Sequence, residues 1–157
     1  MSTNNREVTL RFLAQPSDVN FGGNIHGGSA MKWLDEAGYA CATGWSNSYC
    51  VTAFVGDINF HSSISVGNLV EIRAKIIHTG NSSMHIVIEL YSCNPRNCVL
   101  SKAIHCIMVF VAVDEKKKPV KVPSWNPETE PDVNLSRYAV RIMELRKLNQ
   151  EEFKAVK

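Results

Sequence analysis

Ser29-Ala30-Met31-Lys32-Trp33-Leu34-Asp35-Glu36-Ala37-Gly38-Tyr39-Ala40-Cys41-Ala42-Thr43 is the stretch on which the fold turns. Ala30, Leu34, Ala37, Cys41 and Trp45 recur at helical spacing, while Met31, Gly38, Ala40 and Ala42 occupy the other faces. Polar residues therefore never own a full side. A helix that apolar around its girth is buried, and its small residues let neighbouring backbone come close. The spacing predicts a central helix from Gly28 to about Gly44. One carboxylate, Asp35, stands on a mostly small and apolar face beside Gly38, Tyr39 and Ala42.

On the N-terminal side, Val8 to Leu13 alternates apolar and polar residues as a short strand does, and Gln15-Pro16-Ser17-Asp18 ends it. A glycine-marked loop, Asp18 to Gly28, leads into the helix. On the C-terminal side the chain turns rich in Val, Ile, Phe and Thr over Tyr49 to Phe60, Leu69 to Thr79, Met84 to Cys93 and Leu100 to Val113. Short breaks at Val66-Gly67-Asn68, Gly80-Asn81-Ser82-Ser83 and Asn94-Pro95-Arg96-Asn97 suit hairpins, so the strands run antiparallel. Pro119 to Pro131 reads as an irregular linker. From Leu135, apolar residues at steps of three and four give an amphipathic terminal helix with Asn134 as its N-cap. The expected class is α+β, a five-stranded antiparallel sheet wrapped around one buried helix, with a second helix at the C-terminus.

Composition sets the frame for this reading. The chain has 157 residues, 45% hydrophobic and 20% charged, with 17 Lys+Arg against 15 Asp+Glu. That is one domain with a core of its own, and the charge is too balanced for a nucleic-acid-binding stripe. Residues 1 to 6 are polar with no apolar signal region, and no window approaches 18 uninterrupted apolar residues, so a cytoplasmic location is expected. Five cysteines at irregular spacing then point to reduced thiols. Cys93, Cys98, His105 and Cys106 make a poor metal set. The first two flank a turn, and the last two point to opposite faces of a strand.

Desolvation disfavours a charged carboxylate, so Asp35 must be paired, neutralised or kept for a purpose such as general-base work. Its structural partners would be Lys32 or a cross-strand hydroxyl; Glu36 is better placed as the i,i+4 partner of Lys32. Gly27 and Gly28 stand at the helix start, where unpaired N–H groups suit a developing oxyanion, although close packing on the sheet would also require glycine. Asn24 carries an amide that either holds water or a carbonyl, or forms a turn. His26 is an acid–base group or a local one. Trp33, Phe54 and Phe60 line the core or an apolar tunnel. Arg137, Arg141, Arg146 and Lys147 read as a solvated helix face.

The stretch Gln15 to Gly38 resembles the signature of hotdog-fold acyl-CoA thioesterases of the cytosolic, brain-type and YciA-like group. Phe60-His-Ser-Ser-Ile-Ser-Val-Gly-Asn and Gly80-Asn-Ser-Ser-Met-His-Ile continue the likeness, with Ser63 where the family usually has proline. The resemblance implies a hotdog domain over residues 7–123, followed by a linker and C-terminal helix over 124–157. It implies hydrolysis of acyl-CoA to fatty acid and coenzyme A without metal or other cofactor, coenzyme A being part of the substrate. Asp35 would act as general base or nucleophile, with general base favoured. Asn24 would position water or substrate, Gly27 and Gly28 would polarise the thioester carbonyl, and Gly80, Ser82 and Ser83 would contact coenzyme A. Homodimers joined edge to edge, three to a hexamer, would place Asn24 of one subunit opposite Asp35 of its partner. No nucleic-acid or membrane partner is implied. The rival readings are a hotdog hydratase or dehydratase using His26 with Glu36 or Asp35, and a non-catalytic acyl-CoA sensor. The first lacks the Asp-x4-His spacing, and the second lacks room for a DNA-binding segment.

Overall fold

The computed structural model describes residues 4–157. Five strands, β1 (Glu7–Leu13), β2 (Tyr49–Phe60), β3 (Leu69–Thr79), β4 (Ser83–Cys93) and β5 (Ser101–Val113), form one sheet in the order β1-β3-β4-β5-β2. Every neighbouring pair is antiparallel. Helix α1 (Gly27–Ser46) is wrapped by this sheet, and α2 (Glu130–Ala155) lies on the sheet's other face. The expected class and strand count are those observed. No described helix is long and apolar enough to cross a membrane.

α1 is buried because its sequence leaves no polar side to present. Leu34, Ala37, Cys41 and Ala42 have no exposed surface and pack into a core with Ile72, Ile76, Ile86, Ile88, Leu90 and Phe110. Gly38 shows how close the approach is. A β-carbon there would stand 2.6 Å from the Phe110 ring and 2.9 Å from Ile88 Cδ1, and both neighbours are themselves fully buried. The helix stops at Asn47, whose left-handed backbone (φ 53°) turns the chain into β2 while its N–H bonds the Thr43 carbonyl.

The terminal helix starts earlier than periodicity suggests. Thr129, not Asn134, is the N-cap, its hydroxyl accepting from Asp132 N at 3.3 Å. Proline is tolerated in the first helical turn, where its missing N–H is unneeded, and Glu130 and Asp132 suit the positive end of the helix dipole. Ile77, Val87 and Ile107 form the outer face on which Leu135, Tyr138, Ala139 and Ile142 pack.

The expectation of reduced thiols is corrected at one place. Cys93 and Cys98 are disulfide-bonded across the β4–β5 turn, where the hairpin brings their Cα atoms to 5.0 Å. Cys41, Cys50 and Cys106 are free and buried, and burial pushes the Cys41 and Cys106 thiols up to about 12.

The outer face also holds two kinds of buried charge chemistry. Glu71 is bracketed by Arg11 (2.7 Å) and Arg73 (2.6 Å), which hold its carboxyl below the usual range. His85 is 2% exposed, lies edge-on to His78 at 5.1 Å and leaves Nδ1 without a partner. Burial, reinforced by His78 and Arg146, pushes its ring down from 6.5 to about 4.

Two outcomes follow from this packing. Gly38→Ala gains up to about 1 kcal/mol of helix propensity, but overpacking costs about 1–3 kcal/mol; chemical denaturation should show a net loss of about 1–2 kcal/mol. For His85, an unfolded ring takes a proton below pH 6.5 that the folded ring refuses until about 4, so stability falls as pH drops through that window. The size is on the order of 3 kcal/mol. Glu71 has a depressed pKa, so its stabilisation disappears only below the ordinary carboxylate range. His85→Gln should therefore flatten the pH dependence of the melting temperature between 6.5 and 4.5; an unchanged slope would assign the loss elsewhere.

Candidate active site

Asp35 sits in the middle of α1, half-buried, on the turn before Gly38. Its Oδ1 accepts a 2.6 Å hydrogen bond from Thr52 Oγ1 on β2. Of the structural partners its position allows, the cross-strand hydroxyl is the one present. Lys32 instead faces Glu36 at 4.0 Å, both of them solvent-exposed. Thr52 has no motif around it, and sequence reasoning missed it. Its place on an inner-facing position of β2, opposite Phe110, is a matter of register.

Gly80, Ser82 and Ser83 gather at the same end of the molecule. Gly80 N donates to the Ser83 carbonyl (2.9 Å), Ser82 O accepts from Ala112 N (2.9 Å), and Ser83 pairs with Val111, which pairs in turn with Val51 beside Thr52. Two strand spacings, about 10 Å, thus separate the serine turn from the start of β2.

Asn24, Gly27 and Gly28 lie at the opposite end of α1. Asn24 forms an isolated bridge with Ser65, and Ile25 N donates to Ile64 O (2.8 Å), which fixes the loop beside the chain leaving β2. Ser63 is exposed in that same connection. The Gly28 amide is held by the N-cap, His26 Nδ1, at 3.0 Å, so His26 has a local role here. At Gly27 a β-carbon would meet nothing within 4 Å, which leaves its backbone open to an approaching group. A second loop asparagine, Asn20, uses its side-chain oxygen to accept from Gly22 N (2.9 Å) and Asn24 N (3.2 Å).

The helix separates these two groups. Gly28 and Asp35 are seven residues apart, so about 10 Å of helix rise lies between amide and carboxylate. Within one protomer they cannot bracket a single carbonyl. Among the described residues, no group of three or more His, Cys, Asp or Glu has metal-site geometry.

With this geometry established, likeness to other proteins becomes informative. Residues 22–99 match the thioesterase superfamily. An uncharacterized acyl-CoA thioester hydrolase of Zymomonas mobilis is 32% identical over 120 residues, covering 76% of this chain and 80% of that one. The chain therefore belongs to the thioesterase superfamily and is a thioester hydrolase of the hotdog fold. An apo-hexameric acyl-CoA thioesterase superposes with a TM-score of 0.84 at 31% identity, covering 97% of this chain and 95% of the other. The acyl-CoA hydrolase of Staphylococcus aureus, solved with butyryl coenzyme A and coenzyme A, gives 0.85 at 26% identity over 96% and 92%. That enzyme has also been solved as alanine variants of an aspartate, an asparagine and a threonine. The threonine stands 17 positions after the aspartate and the asparagine 15 before it. Counted from Asp35, the same spacings land on Thr52 and Asn20.

Thr52→Val removes the hydroxyl donor and keeps the shape. A hydrogen bond to a charged group contributes roughly 1.5–3 kcal/mol, and partial solvent exposure places this one at the low end. Steady-state thioesterase assays should show kcat reduced about tenfold, with the fold intact by circular dichroism; unchanged kcat would remove Thr52 from the site.

Proposed function

We propose that this protein hydrolyses acyl-CoA to free fatty acid and coenzyme A in sites shared between two copies of the chain. The observation that carries the reading is the Asp35–Thr52 pair: a carboxylate held by one hydroxyl, half-open, on an otherwise apolar helix. Asp35 acts as general base. It takes a proton from water as the water oxygen attacks the thioester carbon, and the carbonyl becomes an oxyanion. The Gly27 amide of the partner copy faces that oxygen, whereas the Gly28 amide, expected to share this role, is taken up by His26 Nδ1. Collapse of the intermediate expels the coenzyme A thiolate, a good leaving group that needs no metal to assist it. Gly80, Ser82 and Ser83 hold the pantetheine or phosphate portion.

The need for a second copy rests on the separation along α1. Edge-to-edge pairing of two β2 strands would set two α1 helices antiparallel, bringing the loop end of one toward the carboxylate of the other. β2 is an edge strand with Tyr49, Val55 and Phe60 exposed, as such pairing requires. Three dimers would then complete a hexamer. Residues 7–123 form the catalytic hotdog unit, with 124–157 as linker and outer helix. On the loop, Asn20 joins Asn24 as a candidate for positioning water, since the spacing to Asp35 favours Asn20.

A panel of acyl-CoAs of increasing chain length, read for free thiol and enoyl absorbance together, tests this. Asp35→Ala should lower thiol release by about 10²- to 10⁴-fold, and Asn20→Ala should cost more than Asn24→Ala. Full thiol release from Asp35→Ala would overturn the mechanism. Enoyl change without thiol would make the protein a hydratase, and binding with neither would make it a sensor.

A further inference from the structure

α2 is longer than the sheet it covers. Near its start Asp132 bonds Arg6, the residue preceding β1, at 2.7 Å; further along, the Arg146 guanidinium lies 4.6 Å over the Phe54 ring on β2. β1 and β2 are the two edges of the sheet. Fourteen residues of helix rise about 21 Å, and four strand spacings are about 19 Å. The helix therefore crosses from edge to edge, nearly perpendicular to the strands. It does not stop there. Nine more helical residues, Lys147 to Ala155, continue past β2.

In this overhang Asn149, Gln150 and Phe153 take the sheet-facing positions, and Phe153 is the apolar one among them. Phe153 stands 18 residues after Leu135, five helical turns, and so points to the same side as the residue that packs on the outer sheet face. Phe153 is nonetheless 64% exposed, because its own sheet ends about 10 Å earlier. An aromatic on the sheet-facing side of a helix, held beyond an unpaired strand edge, lacks only the continuation of the sheet.

We infer that residues 147–155 of α2 form a strap that crosses onto a second copy of this chain and lays Phe153 on the outer face of that copy's sheet. The occupant follows from continuity: the strap begins where β2 ends the sheet, and a second β2 paired there extends the sheet directly beneath it. Seven residues from Arg146 to Phe153, about 10 Å, reach roughly two strands into the partner. The inference rests on edge-to-edge pairing and adds a second, independent contact on the face opposite the active site.

Sedimentation over a concentration series, with hydrogen exchange on the same samples, tests it. Phe153→Asp should weaken self-association at least about tenfold with unchanged circular dichroism, and Phe153→Leu should restore most of it. Amides 147–155 should exchange more slowly in the oligomer than in the dissociated chain. Val55→Lys, on the exposed β2 edge, separates the two layers of the reading. If Val55→Lys leaves association intact, the edge-to-edge pairing itself falls. If Val55→Lys dissociates the protein and Phe153→Asp does not, the strap alone falls. Dimers that persist at full strength without assembling further would place Phe153 at a different contact and overturn the strap.

Discussion

The contact between Gly38 and the Phe110 and Ile88 side chains sets the depth at which α1 lies in the sheet. Asp35 is one turn earlier on the same helix, so that depth also decides whether its carboxylate reaches Thr52. A helix held further out by even one methyl group would lengthen a 2.6 Å hydrogen bond that depends on the spacing between α1 and β2. Packing and chemistry here are one constraint. The small residues that make α1 unusual as a surface helix are what let the Asp35 carboxylate be placed at a fixed distance from a strand.

That same helix imposes a division. Its N-terminus carries the glycine amides and its middle carries the carboxylate, with about 10 Å between them along a rigid rod. A thioester carbonyl needs its base on one side and its oxyanion donors on another, within a few ångströms of one carbon. Antiparallel apposition of two such helices, as proposed above, would meet the requirement without any bend in either. Charge follows the same division, since the outer face takes the ion pairs around Glu71 and the buried His85 while the inner face keeps Asp35 as its single carboxylate partner of Thr52.

Much of this was legible in the sequence. The apolar girth of Ser29 to Thr43 predicted a buried helix, and the β-branched runs between short breaks predicted the strands, because both signals are local periodicities. Asp35 stood out because a charge interrupted an apolar face. Thr52 did not, since nothing in a strand marks which threonine will oppose a helix until register is fixed, and β2 carries register shifts between Thr52 and Phe54 and between Gly56 and Asn59. The α2 start was misplaced because the proline-rich stretch hid a capped first turn, where proline is compatible with helix. The Cys93–Cys98 bridge carries no periodic signal; it follows from the β4–β5 pairing that brings the two cysteines across one turn.

The two edges of the sheet are built differently, and the difference bears on assembly. β1 has seven residues, with exposed Glu7 and Arg11 along it, the charged and short form that discourages pairing. β2 has twelve, with exposed Tyr49, Val55 and Phe60, and is the other edge of the sheet. Its regular pairing is interrupted at Asp57, whose left-handed backbone (φ 46°) marks the bulge and whose carboxylate is tied to the Tyr138 hydroxyl of α2. A bulge re-aims an edge strand and ends its ladder, and an earlier register shift falls between Thr52 and Phe54, so the regular length left for a neighbour is Tyr49 to Thr52. Thr52 is the last residue of that segment. The strand that would join two copies is thus the strand whose threonine holds Asp35, and its bulge at Asp57 is anchored from the outer helix. The geometry around Asp35 and the docking of α2 therefore meet at one edge strand.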